Sequence, residues 1–203
     1  MITIVDYGVG NLFSLKSSFG FVGADVRVSG DPDALLHADK IVLPGVGAFD
    51  DAARKLREPG LDQALRQAAW RGTPLLGICL GMQLLFDKSY EYGEHEGLGL
   101  IPGNVRPIAD VIPSNLKIPH MGWNALRFTA QESPLFRQVQ AGDCVYFVHS
   151  YYAADCAPYI TATAEYGVDL TAAVQRDNVF GCQFHPEKSG RVGMEILKAF
   201  CEL

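Results

Sequence analysis

Gly77-Ile78-Cys79-Leu80-Gly81 sets a thiol between two glycines, each two residues away. This is the spacing of a nucleophile elbow, with cysteine in the serine's place. Glycines have no Cβ, so a strand and the helix after it can approach closely through a sharp turn. Such a turn holds the nucleophile at the end of the strand in strained backbone, which is tolerated where it serves chemistry. A thiol ordinarily ionises near ~8.5, so only a few per cent is thiolate at neutral pH. A helix N-terminus behind the cysteine favours the thiolate and offers N–H groups to an oxyanion. The competing reading is a buried cysteine in an apolar strand, a common fate for this residue type.

A cysteine nucleophile needs a base and a group that orients the base. The histidines are His37, His95, His120, His149 and His185. His37 and His95 lie among helix and loop residues and read as surface side chains. His185 follows the apolar run Val179-Phe180-Gly181-Cys182-Gln183-Phe184 and precedes Pro186 and Glu187. Two residues along an extended chain put His185 and Glu187 on one side. Glu187 can then accept from one imidazole nitrogen and leave the other for Cys79. The alternative is a structural strand-end histidine satisfied by a carboxylate. His-x-Glu also occurs in zinc nucleobase deaminases, but those need Cys-x-x-Cys downstream. Only Cys201 follows here, so no metal is expected.

The elements that must hold these groups alternate in type. Residues 2–6, 24–28, 40–43 and 75–78 read as strands. Residues 12–19, 31–36, 50–56 and 61–71 read as helices, the first ending at Gly20, and a helix start is expected at 82–86. Alternation of this kind predicts a parallel α/β sheet with right-handed crossovers and a site at the strands' C-terminal ends. The loops at Gly8, Gly45 and Cys79 fall on that edge. Pro44-Gly45-Val46-Gly47 can turn consecutive N–H groups towards an anion, or be a plain tight turn. The first strand runs into Gly8-Val9-Gly10, but Phe13 stands where a dinucleotide fingerprint needs its third glycine. Residues 88–96 are polar and read as a loop. Strands at 117–126, 144–149, 160–164, 172–175 and 179–184 make the second half strand-rich and partly antiparallel, before a last helix at 191–201. With no linker or repeat, the 203 residues read as one domain, 1–203.

Composition narrows the class. The net charge of −6, with no basic run, argues against a nucleic-acid partner. No apolar stretch approaches the ~20 residues of a membrane span, and the first residues carry no basic leader, so neither membrane nor secretion is expected. The cysteines are odd in number, with no Cys-x-x-Cys pair, which points away from a disulfide framework and towards a reducing cytoplasm.

Together the segments at Cys79, at Gln183-Phe184-His185-Pro186-Glu187 and at Pro44-Gly45-Val46-Gly47 resemble the class I (triad-type) glutamine amidotransferases over nearly the whole chain. Asp6-Tyr7-Gly8-Val9-Gly10-Asn11, Pro119-His120-Met121-Gly122-Trp123-Asn124, Phe147-Val148-His149-Ser150-Tyr151 and the Lys188-Ser189 end of the histidine segment narrow the resemblance to the glutaminase subunits of imidazole glycerol phosphate synthase. No presumed catalytic position departs from the pattern. Residues 88–96 match least, and no role is carried over to them.

The resemblance implies a three-layer, flavodoxin-like α/β fold with a mostly parallel central sheet and extra antiparallel strands in the C-terminal half. It implies that Cys79 attacks the glutamine carboxamide while His185, oriented by Glu187, takes the thiol proton and delivers it to the departing ammonia. Backbone N–H groups near Val46, Gly47 and Leu80 would hold the oxyanion. Gly47, Gln83, His149, Ser150 and Tyr151 match glutamine-recognition positions. Asn11, Trp123 and Lys188 match positions facing a (β/α)₈-barrel cyclase subunit, which forms a heterodimer with the glutaminase and receives its ammonia through a tunnel. The cyclase makes imidazole glycerol phosphate and an aminoimidazole carboxamide ribotide. No cofactor is implied. Taken as residues alone, Trp123 reads equally as core and Lys188 as a solvated charge. Weak turnover by the isolated subunit is expected, with a peptide flip in Gly45-Val46-Gly47 completing the oxyanion site on signalling. The rivals are an amidotransferase of another pathway (anthranilate, purine or pyridoxal phosphate synthesis) and a binding module on the same fold.

Overall fold

The structure, a computed structural model, describes residues 1–203. In chain order it runs β1 (Ile2–Val5), α1 (Leu12–Phe21), β2 (Val26–Ser29), α2 (Pro32–Leu36), β3 (Lys40–Leu43), α3 (Phe49–Arg57), α4 (Leu61–Trp70), β4 (Leu75–Ile78) and α5 (Leu80–Gln83). Then follow β5 (Phe86–Ser89), β6 (His95–Glu96), β7 (Ile101–Pro107), β8 (His120–Phe128), β9 (Cys144–His149), β10 (Tyr151–Ala154), β11 (Ile160–Glu165), β12 (Asp169–Arg176), β13 (Val179–Cys182) and α6 (Gly190–Cys201). No helix is long and apolar enough to cross a membrane.

The large sheet has the order β2-β1-β3-β4-β13-β12-β11-β8-β9. From β2 to β13 neighbours are parallel; from β13 to β9 they are antiparallel. A smaller sheet, β10-β7-β5-β6, lies apart from it. In the large sheet the antiparallel strands thus come from the C-terminal half, as the strand-rich composition there predicts.

The central strands are buried on both faces, and alternate residues feed two cores. Ile41, Leu43 and Leu75 pack with α2, α3, α4 and the small sheet, while Val42, Leu76 and Ile78 pack with α1 and α6. That is the three-layer arrangement. Each fully buried Leu, Ile or Phe contributes roughly 1.5–3 kcal/mol. α3 shows how a helix on this surface is specified. Phe49, Ala52, Ala53 and Leu56 face inward, Asp50 and Asp51 sit in its first turn, and Arg54, Lys55 and Arg57 in its last, matching the helix dipole.

Three expectations fail. The run 82–86 does not start a long helix: α5 stops at Gln83 and Phe86 opens β5. These residues are buried on every side, so periodicity had no polar face to report. Residues 88–96 are not a plain loop. They form the β5–β6 hairpin, with Lys88 opposite Glu96 and Ser89 opposite His95. Gly20 does not end α1, which runs to Phe21; the left-handed glycine after it is Gly23, at φ +82°.

Candidate active site

Cys79 sits between β4 and α5 at φ 55°, ψ −115°, a backbone region unfavourable to any residue with a side chain. Close packing holds it there. A Cβ on Gly77 would lie 2.6 Å from the Gly81 carbonyl oxygen, and one on Gly45 2.5 Å from the Gly81 nitrogen. A Cβ on Gly81 would overlap the Leu43 carbonyl. Gly181 stands beside Gly77 in register, and a Cβ there would press Met82 at 2.6 Å. The four glycines therefore let α5 close onto β4, β13 and the Pro44 loop. The Gly8 loop joins the same edge: the Tyr7 hydroxyl donates to the Pro44 carbonyl at 2.6 Å, and Gly10 packs against Pro44. Burial, and then the nearby thiol, raise the pKa of Tyr7, keeping it a neutral donor.

His185 follows β13, and its Nδ1 lies 2.8 Å from Glu187 Oε1. Both side chains are almost fully buried. The His185 carbonyl accepts from Ser189 Oγ at 2.6 Å, and Ser189 Oγ accepts from the Tyr146 N–H at 3.0 Å, fixing the turn that carries the pair. Burial alone would lower the pKa of His185. Hydrogen bonding to Cys79 and Glu187 overcomes this and raises it to about 9. The imidazole thus favours its protonated form.

Cys79, Leu80, Val46, Gly47, Gln83, His149, Ser150, Tyr151 and His185 all line one cleft of about 560 Å³. Val46 and Gly47 face it from the β3–α3 loop, where Gly47 has φ +89°. Gln83 is already engaged: its amide nitrogen donates to the Tyr151 carbonyl at 3.2 Å and to Gln183 Oε1 at 2.9 Å. Gln183, fully buried, donates in turn to Cys79 Sγ at 3.8 Å. Gln183 belongs to the quoted histidine segment but carried no expected role.

Sequence reasoning also missed Glu91 and Tyr92, which the hairpin lays on the cleft wall. Glu91 Oε2 accepts from the Phe49 N–H at 2.7 Å, at the start of α3, and burial raises its pKa. Tyr92 meets the Tyr151 ring edge-on. The only signal for Glu91 was one more acidic residue in a polar segment. His95 is half-buried against Asp50 at 3.1 Å, whereas His37 is exposed as expected.

Asn11, Trp123 and Lys188, the positions expected to face a partner, lie outside the cleft. Trp123 is 58 % exposed, which excludes the core-packing alternative. Trp123 and Lys188 both border Tyr146, with the tryptophan edge-on at 6.2 Å and the ammonium 5.9 Å from the ring centre. Asn11 caps α1, accepting from the Ser14 N–H at 3.2 Å.

A family model described as glutamine amidotransferase class-I matches residues 3–202. Relatives named imidazole glycerol phosphate synthase subunit HisH are similar along the whole length. The Moorella thermoacetica protein is 49 % identical, with 100 % of this chain and 94 % of that one covered. The Geobacillus thermodenitrificans protein is 52 % identical, with 98 % and 94 % covered. Among solved structures, PurLQS from Thermotoga maritima superimposes with a TM-score of 0.77 at 20 % identity, covering 99 % of this chain and 97 % of that one. Another, titled only as a glutamine amidotransferase, has the same TM-score at 17 % identity with both chains fully covered. These last two carry the fold alone. The chain belongs to the class I glutamine amidotransferases, among the relatives that form the HisH subunits of imidazole glycerol phosphate synthase.

Proposed function

We propose that this chain is the glutamine-hydrolysing subunit of imidazole glycerol phosphate synthase, with Cys79, His185 and Glu187 as its catalytic triad. The observation that carries the reading is the strained Cys79 at the mouth of α5, sharing a cleft with an imidazole whose far nitrogen is held by a buried carboxylate. Cys79 Sγ attacks the carboxamide carbon and forms a tetrahedral oxyanion. His185 receives the thiol proton and passes it to the departing ammonia, leaving a γ-glutamyl thioester. Water, deprotonated by the same imidazole, then releases glutamate and restores the thiol. The N–H groups of Val46, Gly47 and Leu80 are the oxyanion donors. Glu91 is the one carboxylate lining the cleft, and in this reading it meets the α-ammonium of glutamine.

The ammonia goes to a cyclase partner, a (β/α)₈ barrel, docked on the face that carries Asn11, Trp123 and Lys188. Containment is the physical reason for docking, since ammonia released into water is protonated and loses its nucleophilicity. The domain is the whole of 1–203, and the compartment is the cytoplasm, which suits a chain whose five cysteines are all free.

The test is glutamate release from glutamine, with and without the cyclase subunit and its nucleotide ligand. Strong stimulation by the pair, abolished by Cys79→Ala, is the expected result. Turnover indifferent to the cyclase would move the chain to another amidotransferase pathway. No glutamate from any mixture, with the partner bound and Cys79 reduced, would leave a binding module.

A further inference from the structure

Two buried histidines, His149 on the cleft wall and His120 behind it, take no part in the triad chemistry. His120 on β8 and His149 at the end of β9 are direct cross-strand neighbours, 3 % and 6 % exposed. His120 Nδ1 lies 3.0 Å from His149 Nε2. His149 Nδ1 lies 2.8 Å from the Tyr151 carbonyl oxygen. At the other end, Asn124 Nδ2 lies 3.3 Å from His120 Nε2.

These contacts leave one arrangement of protons. A carbonyl can only accept, so His149 carries its proton on Nδ1. Burial lowers the pKa of His120, and burial also takes His149 down to about 3, so both rings are neutral at pH 7. The Nε2 of neutral His149 is then a lone pair, and His120 must donate to it from Nδ1. The Nε2 of His120 is a lone pair in turn and receives an N–H of Asn124. The amide is held the right way round by backbone, since Asn124 Oδ1 accepts from the Ala125 N–H at 2.8 Å and Nδ2 donates to the Glu165 carbonyl at 2.7 Å. Every link therefore has its direction set from both ends.

The chain ends on an atom that matters. The Tyr151 carbonyl also receives the Gln83 amide, which supports Gln183, which donates to Cys79 Sγ. Both lone pairs of that carbonyl are thus occupied, one from each side. We propose that His120 is a positioning residue, which holds His149 in its Nδ1–H tautomer and so fixes the Ser150–Tyr151 wall and the Gln83 side chain against the bound glutamine. This rests on the glutaminase reading above. Without His120, the Tyr151 carbonyl is left as the one group holding the His149 proton on Nδ1, and a proton moved to Nε2 would set two lone pairs face to face there.

His120 also stacks near-parallel on Phe147 and Tyr166, with ring centres 4.9 and 4.3 Å away. Packing and proton placement separate cleanly by substitution. His120→Phe keeps an aromatic ring and loses the donor. His120→Asn loses the ring but keeps an N–H close to the Nδ1 position. Positioning predicts that His120→Phe raises KM for glutamine about tenfold, the worth of one buried hydrogen bond, with kcat within about threefold, and that His120→Asn stays nearer the wild type. Packing alone predicts the reverse order, and that result would overturn the proposal. Tautomers are read independently of turnover from the ¹⁵N shifts of histidine-labelled wild-type protein at pH 7. Protons on Nδ1 of both His120 and His149 are expected, and a proton on Nε2 of either would also overturn it. Absence of glutaminase activity in the wild type, with the cyclase subunit and its nucleotide ligand present, would instead count against the functional reading, leaving the tautomer measurement to decide the chain of protons.

Discussion

His149 and His185 face the same cleft, both nearly excluded from water, and the fold drives them to opposite charge states. Burial pushes both pKa values down. What differs is the second nitrogen. His185 has a buried carboxylate at Nδ1 and a thiol before it, and these lift it to about 9. His149 has a carbonyl at Nδ1 and another imidazole at Nε2, and falls to about 3. A carbonyl orients an imidazole as well as a carboxylate does, but lends it no charge. The lesson is that the group behind a buried histidine decides whether it can take a proton or only direct one.

The sharpest way to break the contrast is Glu187→Gln. The amide keeps the shape of the carboxylate and removes its charge, so the proposed His185 imidazolium loses the negative charge held against its Nδ1. Glu187 Oε2 makes no hydrogen bond, so the loss comes through the His185 contact alone. We expect kcat for glutamate release to fall by about 10²–10⁴-fold, with KM little changed, as for other triads stripped of their orienting carboxylate. His185 should at the same time titrate lower, towards its neighbour across the cleft. A kcat within threefold of the wild type would mean that Glu187 is structural.

Stability against pH reads the same contrast with opposite signs. His149 binds protons less readily folded than unfolded, so below the unfolded value near 6.5 the unfolded chain gains protons that the fold refuses. Its burial therefore costs nothing at pH 7 and about 2 kcal/mol at pH 5. His185, raised in the fold, contributes stability that is fully present below about 6.5 and is lost as pH rises towards 9. Urea unfolding at pH 5, 7 and 9 checks both. His149→Phe should flatten the acid side and Glu187→Gln the alkaline side. If His149→Phe leaves the acid side unchanged, the neutral, refusing histidine is not His149.

How legible this was depends on how locally each feature is determined. The Cys79 turn rests in part on Gly77 and Gly81, two residues to either side, and that local share of the steric demand is written in the spacing, whereas Gly45 and Gly181 join it only through the fold. His185 and Glu187 are equally near in sequence, and their pairing follows from an extended backbone. The resemblance then supplied what spacing could not, the cleft positions at Gln83 and at His149 to Tyr151. The His120–His149 contact joins residues 29 apart through the register of β8 on β9, which no local pattern encodes. Met82 to Phe86 misled because a run buried on all sides carries no periodicity. Residues 88–96 looked like a loop because the hairpin's inward residues, Ser89 and Glu91, are polar, and Glu91 is turned to a cleft and not to a core.

Glu91 supplies the third and smallest test, at a cleft group that carries charge without belonging to the triad. Its carboxylate accepts the Phe49 N–H at the end of the segment that carries Val46 and Gly47, and it is the single acidic side chain on the lining. Two roles are therefore to be separated at one residue: anchoring the β3–α3 loop, which the Phe49 contact carries, and the proposed recognition of the α-ammonium of glutamine. Glu91→Gln separates them, because its amide oxygen still accepts from Phe49 while the charge is gone. If charge recognition is the role, KM for glutamine rises about tenfold with kcat nearly unchanged, as expected for loss of one charge-assisted contact. If anchoring is the role, Glu91→Gln behaves as wild type and Glu91→Ala lowers kcat, because the oxyanion donors lose their tether. A fall in kcat for Glu91→Gln would show instead that the carboxylate holds the loop through its charge at the α3 N-terminus, which an amide cannot replace.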